Sequence, residues 1–243
     1  MSFRPERSEV EKPAFSTTKA NPKPMLALTI VATYLEQSLT KLKEFEGCVP
    51  WMYRDTVGKV TVGVGLMLPD TKAAGSLPFL LGDRAATPEE ISADYARVDA
   101  LPLGRASAFY KSPTSLQLTQ QTIDAKLASI LENFEADLKT EFPHYDTLPD
   151  GVKIALLDMI YNLGPAGLFK GFPHLVAAVQ TGAWAQAAEH CRRRGPSAAR
   201  NAWTRQQFLS AVVGTIKAEA EGWLTRIWAR IRPIWSGKLS RSR

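Results

Sequence analysis

The sequence predicts an α+β protein that is mostly helical, and three observations predict it. Apolar residues recur at helical spacing through most of the stretch 35–217, the signature of helices with one buried face. A segment at 53–65 instead alternates β-branched residues with glycine, which reads as a hairpin. The chain has 243 residues, 45% hydrophobic and 22% charged, so it can bury a core as one domain with extensions, or two at most. Disordered, collagenous and membrane-embedded classes are excluded.

Residues 1–24 carry mixed charges, Ser, Thr, Pro5, Pro13 and Pro22 without apolar periodicity, and are expected to form a disordered arm. The apolar run 25–32 is too short to span a bilayer. It lies behind both charge signs, unlike a secretory signal, and reads as a helix start. Leu35, Leu39, Leu42 and Phe45 then share one helical face, and Gly47 supplies the stop. In the hairpin, Val60, Val62 and Val64 form an apolar face, while Thr61, Gly63 and Gly65 leave the other face bare enough for a bulky ligand. Residues 66–117 are broken by prolines and glycines into loops around one helix, opened by Thr87 as cap and Pro88 in the first turn.

A long amphipathic helix follows Thr119, marked by Ile123, Leu127, Ile130, Leu131, Phe134 and Leu138. Asp150 is expected to cap the next helix, whose run from Ile154 to Tyr161 is apolar nearly all round, as suits a buried centre. Further helical stretches are expected at 172–180, 184–191 and 201–217. No internal repeats are present.

The net charge of +6 is unevenly placed. Arg226, Arg230, Arg232, Lys238, Arg241 and Arg243 follow Gly222 with no acid among them, so residues 1–221 hold 24 cations against 24 acids. A neutral body does not suit nucleic acid, and no nucleic-acid partner is expected. Cys48 and Cys191 with three histidines give neither a disulfide framework nor metal-ligand spacing; no metal and no cofactor are expected.

The candidate chemistry lies in Glu46, Asp55 and Thr61, which one helix-to-hairpin unit brings together. Glu46 falls in the last helical turn, where the negative end of the macrodipole disfavours an ionised carboxylate, so this acid can donate a proton. Asp55 sits in a polar turn beside Arg54 and Thr56, which favour its charged form. Two carboxyl groups in unlike environments are what glycoside hydrolysis requires: one protonates the leaving oxygen, the other directs a water or attacks the sugar. Thr61 is placed to hold the water. Taken singly, a surface glutamate, a turn aspartate and a strand threonine need no function.

The pattern Glu-Gly-x5-Tyr-x-Asp-x2-Gly-x2-Thr-x-Gly-x-Gly, from Glu46 to Gly65, resembles the phage-type lysozymes, the muramidases of phage endolysins and related bacterial proteins. The likeness continues more loosely over 118–210, through Asp158 to Gly164, Gly182 to Ala188, and the Arg-containing segment 200–208. It implies a two-lobed, lysozyme-like fold in which a small β-sheet lobe and a helical lobe flank a peptidoglycan cleft. It further implies cleavage of the β-1,4 bond between N-acetylmuramic acid and N-acetylglucosamine with inversion. By position, Glu46 becomes the general acid, Asp55 the residue that activates water, and Thr61 its helper. Tyr53, Gly65, Asn162 and Arg205 become contacts to the sugar chain. Leu66 stands where many members have His, and 66–117 is longer than the usual connection.

These readings divide the chain into an arm at 1–24, a catalytic domain at 25–221 with an insertion at 66–117, and a basic tail at 222–243. The tail holds Trp223, Trp228 and Trp235; Leu224, Ile227, Trp228 and Ile231 share a helical face until Pro233 breaks the pattern. That face could settle on a membrane or an anionic envelope polymer, or pack on the body. Arg192, Arg193 and Arg194 read as a solvated helix end, Cys48 as packing, and His144, His174 and His190 as incidental.

The expected activity is that of a cofactor-free muramidase acting on bacterial peptidoglycan, as a lysis enzyme or as an effector between bacteria. The alternative is a membrane-active or peptidoglycan-binding protein with a degenerate lysozyme body. Without a signal segment, the protein is expected in the cytoplasm, reaching the periplasmic wall by release or with a delivery partner. An immunity protein is a further expected partner in the effector setting.

Overall fold

A capping box opens the first helix. Thr33 Oγ1 accepts from the Glu36 amide at 3.3 Å, and the Glu36 carboxylate accepts from the Thr33 amide at 2.7 Å, so two of the helix's orphan donors are satisfied at once. This helix, α1 (Tyr34–Glu46), ends where the Gly47 amide donates to Lys43 O at 3.0 Å. The structure is a computed structural model and describes residues 32–236, leaving aside the side chains of 215, 218, 219 and 229–236. The expected arm at 1–24, the start at 25–32 and the end of the tail lie outside the described residues.

An antiparallel sheet follows, with β1 (Val49–Arg54), β2 (Val60–Gly63) and β3 (Leu66–Met67) in the order β1-β2-β3. Tyr53 pairs with Thr61 and Arg54 with Val60, and the register shifts between Val49 and Tyr53. The β2–β3 connection passes through Gly63 and Gly65, with φ of 68° and 72°, values that side chains with a Cβ avoid. The expected bare face is not open at Gly63. A Cβ there would come to 3.3 Å of Ile123 Cγ2, and all of β2 is buried; the glycine lets the sheet lie against the long helix instead of a ligand.

Residues 66–117 are more structured than loops around one helix. After β3 come α2 (Thr71–Gly75), the hairpin β4 (Leu80–Leu81) with β5 (Arg84–Ala85), and α3 (Pro88–Asp99). Thr87 and Glu90 form the capping box of α3, with Pro88 in its first turn. This insertion is fastened to the sheet: α3 packs on β1, the Trp51 indole donates to Ser107 O at 2.9 Å, and Arg54 Nη1 donates to Leu101 O at 2.8 Å. Asp94, buried, accepts from Arg97 at 2.7 Å and from the Leu116 amide at 3.1 Å, which closes the end of the insertion.

The long helix α4 (Gln120–Glu141) is capped by Thr119, whose hydroxyl accepts from the Thr122 amide at 3.1 Å. Next, α5 (Asp150–Gly171) is the centre of the helical part, packed on α1, α4 and a later helix, α8. Residues Val152 to Ile160 are buried on every side, as their composition foretells. Asp150 is its first helical residue, and its side chain makes no capping bond. At Gly164, φ is 69° and the helix breaks, with Pro165 restarting it; only glycine enters that region freely. The chain continues through α6 (Pro173–Gln180) and α7 (Trp184–His190) into α8 (Ala198–Ser236). Residues 222–236 continue α8, and Pro233 does not end the helix as its position suggests. Within the last turn, a missing amide removes a single backbone bond.

Candidate active site

Glu46 is the terminal residue of α1, and its neighbour Phe45 fixes what stands beside it. The Arg200 guanidinium lies over the Phe45 ring, 5.1 Å from its centroid, and Trp203 meets the same ring edge-on at 5.3 Å. Held there, Arg200 Nη1 donates to Glu46 Oε1 at 2.6 Å. The Glu46 side chain is 29% exposed, so the residue is part-open to solvent.

Asp55 is set by the turn between β1 and β2. Its amide donates to Lys59 O at 2.9 Å, and its Oδ1 accepts from the amides of Val57 at 3.0 Å and Lys59 at 2.8 Å. Two amides on one oxygen hold the carboxylate as an acceptor and leave Oδ2 for a water or substrate. The turn is braced by Arg54, whose Nε and Nη2 donate to Gly58 O at 3.1 and 3.0 Å. Thr61 is buried, and its hydroxyl donates to Lys59 O at 3.1 Å. Toward a water it therefore offers lone pairs only.

Tyr53, on β1 between the two acids in sequence, is half-buried. Burial, then the charges of Asp55 and Glu46, push its phenol above the ordinary value. Tyr161 is likewise raised, by burial first and then by Glu46 and Tyr53, with Arg200 opposing. The Tyr161 hydroxyl donates to Val64 O and so ties α5 to the sheet beside Gly65, where a Cβ would stand 3.7 Å from that hydroxyl. The charge of Glu46 thus reaches both phenols, and that of Asp55 reaches Tyr53. Asn162 is exposed on α5, two residues before the Gly164 break.

The model of the family described as phage lysozyme matches residues 43–200, more than half of the chain. The chain belongs to the phage lysozyme family. Among solved structures, a crystal structure of a P22 lysozyme mutant is similar at 18% identity and a TM-score of 0.45, over 74% of this chain and 99% of that one. No curated protein matches. The lysozyme-like α+β architecture expected from the sequence is the one observed.

Arg205 does not join the site. It is exposed and lines a hollow with Glu189, Cys191, Arg192 and Asn201, while the arginine on Glu46 is Arg200, one and a half turns earlier on the same helix. Arg200 is one part of a buried charge cluster. Its Nε donates to Asp158 Oδ1 at 2.8 Å, and Asp158 Oδ2 accepts from Arg193 Nη2 at 2.5 Å and from the Thr204 hydroxyl at 2.6 Å. Arg193 also donates to the Asp158 carbonyl at 3.1 Å. Burial works against the charge on Arg200, and Asp158 with Glu46 more than offsets it, holding that guanidinium above its ordinary value. Arg193 is pulled below its ordinary value by burial, against Asp158.

The middle arginine of the triplet is therefore no solvated end. The signal that could have found this cluster is Asp158 itself, the acid within the apolar run of α5: a carboxylate buried there requires a cation. Thr204, one turn after Arg200, marks the face of α8 that supplies it. Cys48 is half-buried, with Sγ 3.6 Å from Gln120 Oε1. Among the described residues no group of three metal-ligating side chains occurs, though His174 and His190 stack at 5.2 Å.

Proposed function

We propose that this chain is a muramidase that hydrolyses the β-1,4 bond between N-acetylmuramic acid and N-acetylglucosamine in bacterial peptidoglycan. The observation that carries the reading is a pair of acids in unlike settings on one helix-to-hairpin unit: Glu46 ends α1, part-exposed and gripped through Oε1 by Arg200 at 2.6 Å, and Asp55 sits in the β1–β2 turn, fixed through Oδ1 by the amides of Val57 and Lys59. Glu46 takes the part of general acid. With Oε1 held by Arg200, Oε2 carries the proton to the glycosidic oxygen as the bond to the anomeric carbon breaks. Asp55 Oδ2 accepts a proton from a water, which adds its oxygen to that carbon from the opposite face. One water is consumed, one hydroxyl remains on each sugar, and the configuration inverts. Thr61 accepts a hydrogen bond from that water, and Tyr53, Gly65 and Asn162 border the path of the glycan.

Glu46→Gln tests the assignment. Muropeptides released from purified sacculi and read by mass spectrometry should fall by about a hundredfold to ten-thousandfold, with the circular dichroism spectrum unchanged. Cleavage at the wild-type rate in that variant overturns the reading. A host-lysis enzyme and an effector delivered between bacteria, with its delivery and immunity partners, are two settings for the same chemistry; both place the reaction at the periplasmic wall.

A further inference from the structure

The distal half of α8 presents an apolar stripe to solvent. Its proximal half is packed on α5 and α7, with Arg200, Thr204, Phe208 and Ala211 buried. Beyond Ala211 the large apolar side chains turn outward: Val213 is 67% exposed, Ile216 61%, Trp223 58%, Leu224 49% and Trp228 67%. These positions, with Ala220 and Ile227 between them, succeed one another by one, three or four residues, so they fall on one side of the helix. Such a stripe on a helix that leaves its body marks a contact surface. The family match ends at Arg200, before the stripe begins.

We propose that this stripe docks α8 along the surface of an anionic lipid bilayer. Charge selects that occupant. Lys217 and Arg226 balance Glu219 and Glu221 along the stripe, but from Gly222 onward the sequence carries six cations and no acid, so the stripe runs on into a segment of one sign of charge. Anionic headgroups complement that sign, and tryptophans settle at the boundary between headgroups and acyl chains. A second copy of the chain would offer only Glu219 and Glu221 from this stretch against those six cations, fewer than an anionic surface supplies. The helix lies in the interface plane and does not span, because Lys217, Glu221 and Arg226 interrupt any long apolar run.

The test uses the full chain and does not depend on glycan cleavage. Vesicles of phosphatidylethanolamine and phosphatidylglycerol should carry the protein upward in a flotation gradient and shift its tryptophan emission to the blue. Vesicles of phosphatidylcholine alone should bind at least about tenfold more weakly, and 1 M salt should release the protein. The pair Trp223→Ala with Trp228→Ala, and separately Arg226→Gln with Arg230→Gln, should each lower binding about tenfold while leaving cleavage of purified sacculi unchanged. Equal binding to neutral and anionic vesicles, wild-type binding by the tryptophan pair, or a dimer in sedimentation that this pair abolishes without vesicle binding would each overturn the proposal. Wild-type protein that cleaves sacculi yet ignores anionic vesicles overturns it and spares the muramidase reading. Protein that binds vesicles yet cleaves nothing does the reverse.

Discussion

Arg200 Nη1 stands 2.6 Å from Glu46 Oε1, across 154 residues of chain. The same guanidinium donates through Nε to Asp158, so one planar cation joins the end of α1 to the centre of α5. Lysine cannot make both bonds, because an ammonium is a point donor on a flexible stem. Arg200→Lys should therefore keep the fold and lower kcat on sacculi by about tenfold to a hundredfold, the cost of a misplaced acid. Unchanged kcat would remove Arg200 from the positioning of Glu46.

Asp158 holds two arginines in the core, with its side chain 2% exposed and those of Arg193 and Arg200 1% and 6%. Asp158→Ala leaves Arg193 buried without a counter-charge and Arg200 with Glu46 alone. Urea denaturation should show a loss of about 3–5 kcal/mol, with Asp158→Asn losing less because the amide oxygen still accepts from Arg193 or Thr204.

Gly151, at the start of α5, lies against α8 so closely that a Cβ would come to 2.5 Å of Gln207 O and would meet Ser210 Oγ. The Ser210 hydroxyl donates to that same carbonyl at 2.7 Å, and the carbonyl belongs to helical backbone, which cannot step aside alone. Gly151→Ala should destabilise by about 1–3 kcal/mol, measured as a lower Tm. An unchanged Tm would mean that α5 and α8 separate at no cost.

Tyr34, Tyr145 and Tyr161 are all held above the ordinary phenol value, by burial first and then by neighbouring acids. Their native pKa exceeds the unfolded one, so the native chain keeps protons that the unfolded chain sheds near pH 10. The stability they contribute is complete below pH 10 and declines as pH rises beyond it. Urea midpoints should fall between pH 9 and pH 11.5, and phenolate absorbance from these three should appear only with unfolding. Their ionisation in the folded chain would contradict this.

Much of the fold is legible in local pattern. The face of Leu35, Leu39, Leu42 and Phe45, stopped by Gly47, gives α1 directly, and Thr119 with its apolar series gives α4. Each signal is contained within one element. The two-residue strands β4 and β5 carry no period at all, so the order within 66–117 comes from bonds to the sheet such as that of Trp51 to Ser107 O. Gly63 looked open because Ile123, which covers it, belongs to another element.

The candidate site divides in the same way. Glu46, Asp55 and Thr61 lie on one continuous segment and can be read together. Arg193 finds Asp158 35 residues away, and Arg200 finds Glu46 at greater range, so no local window contains either pair. The resemblance named the arginine-bearing segment, and packing against Phe45 chose Arg200 over Arg205 within it.

The continuity of α8 has a mechanical consequence. Its first turn holds the cation that grips Glu46, and Trp228 lies on the same helix 28 residues later, about 40 Å along the axis at 1.5 Å per residue. One rod thus spans both ends: with its far end laid flat on a supporting layer, its length would fix how far along that layer the cutting edge stands from the anchor. Shortening the rod by whole turns would shorten that reach in steps of about 5.4 Å.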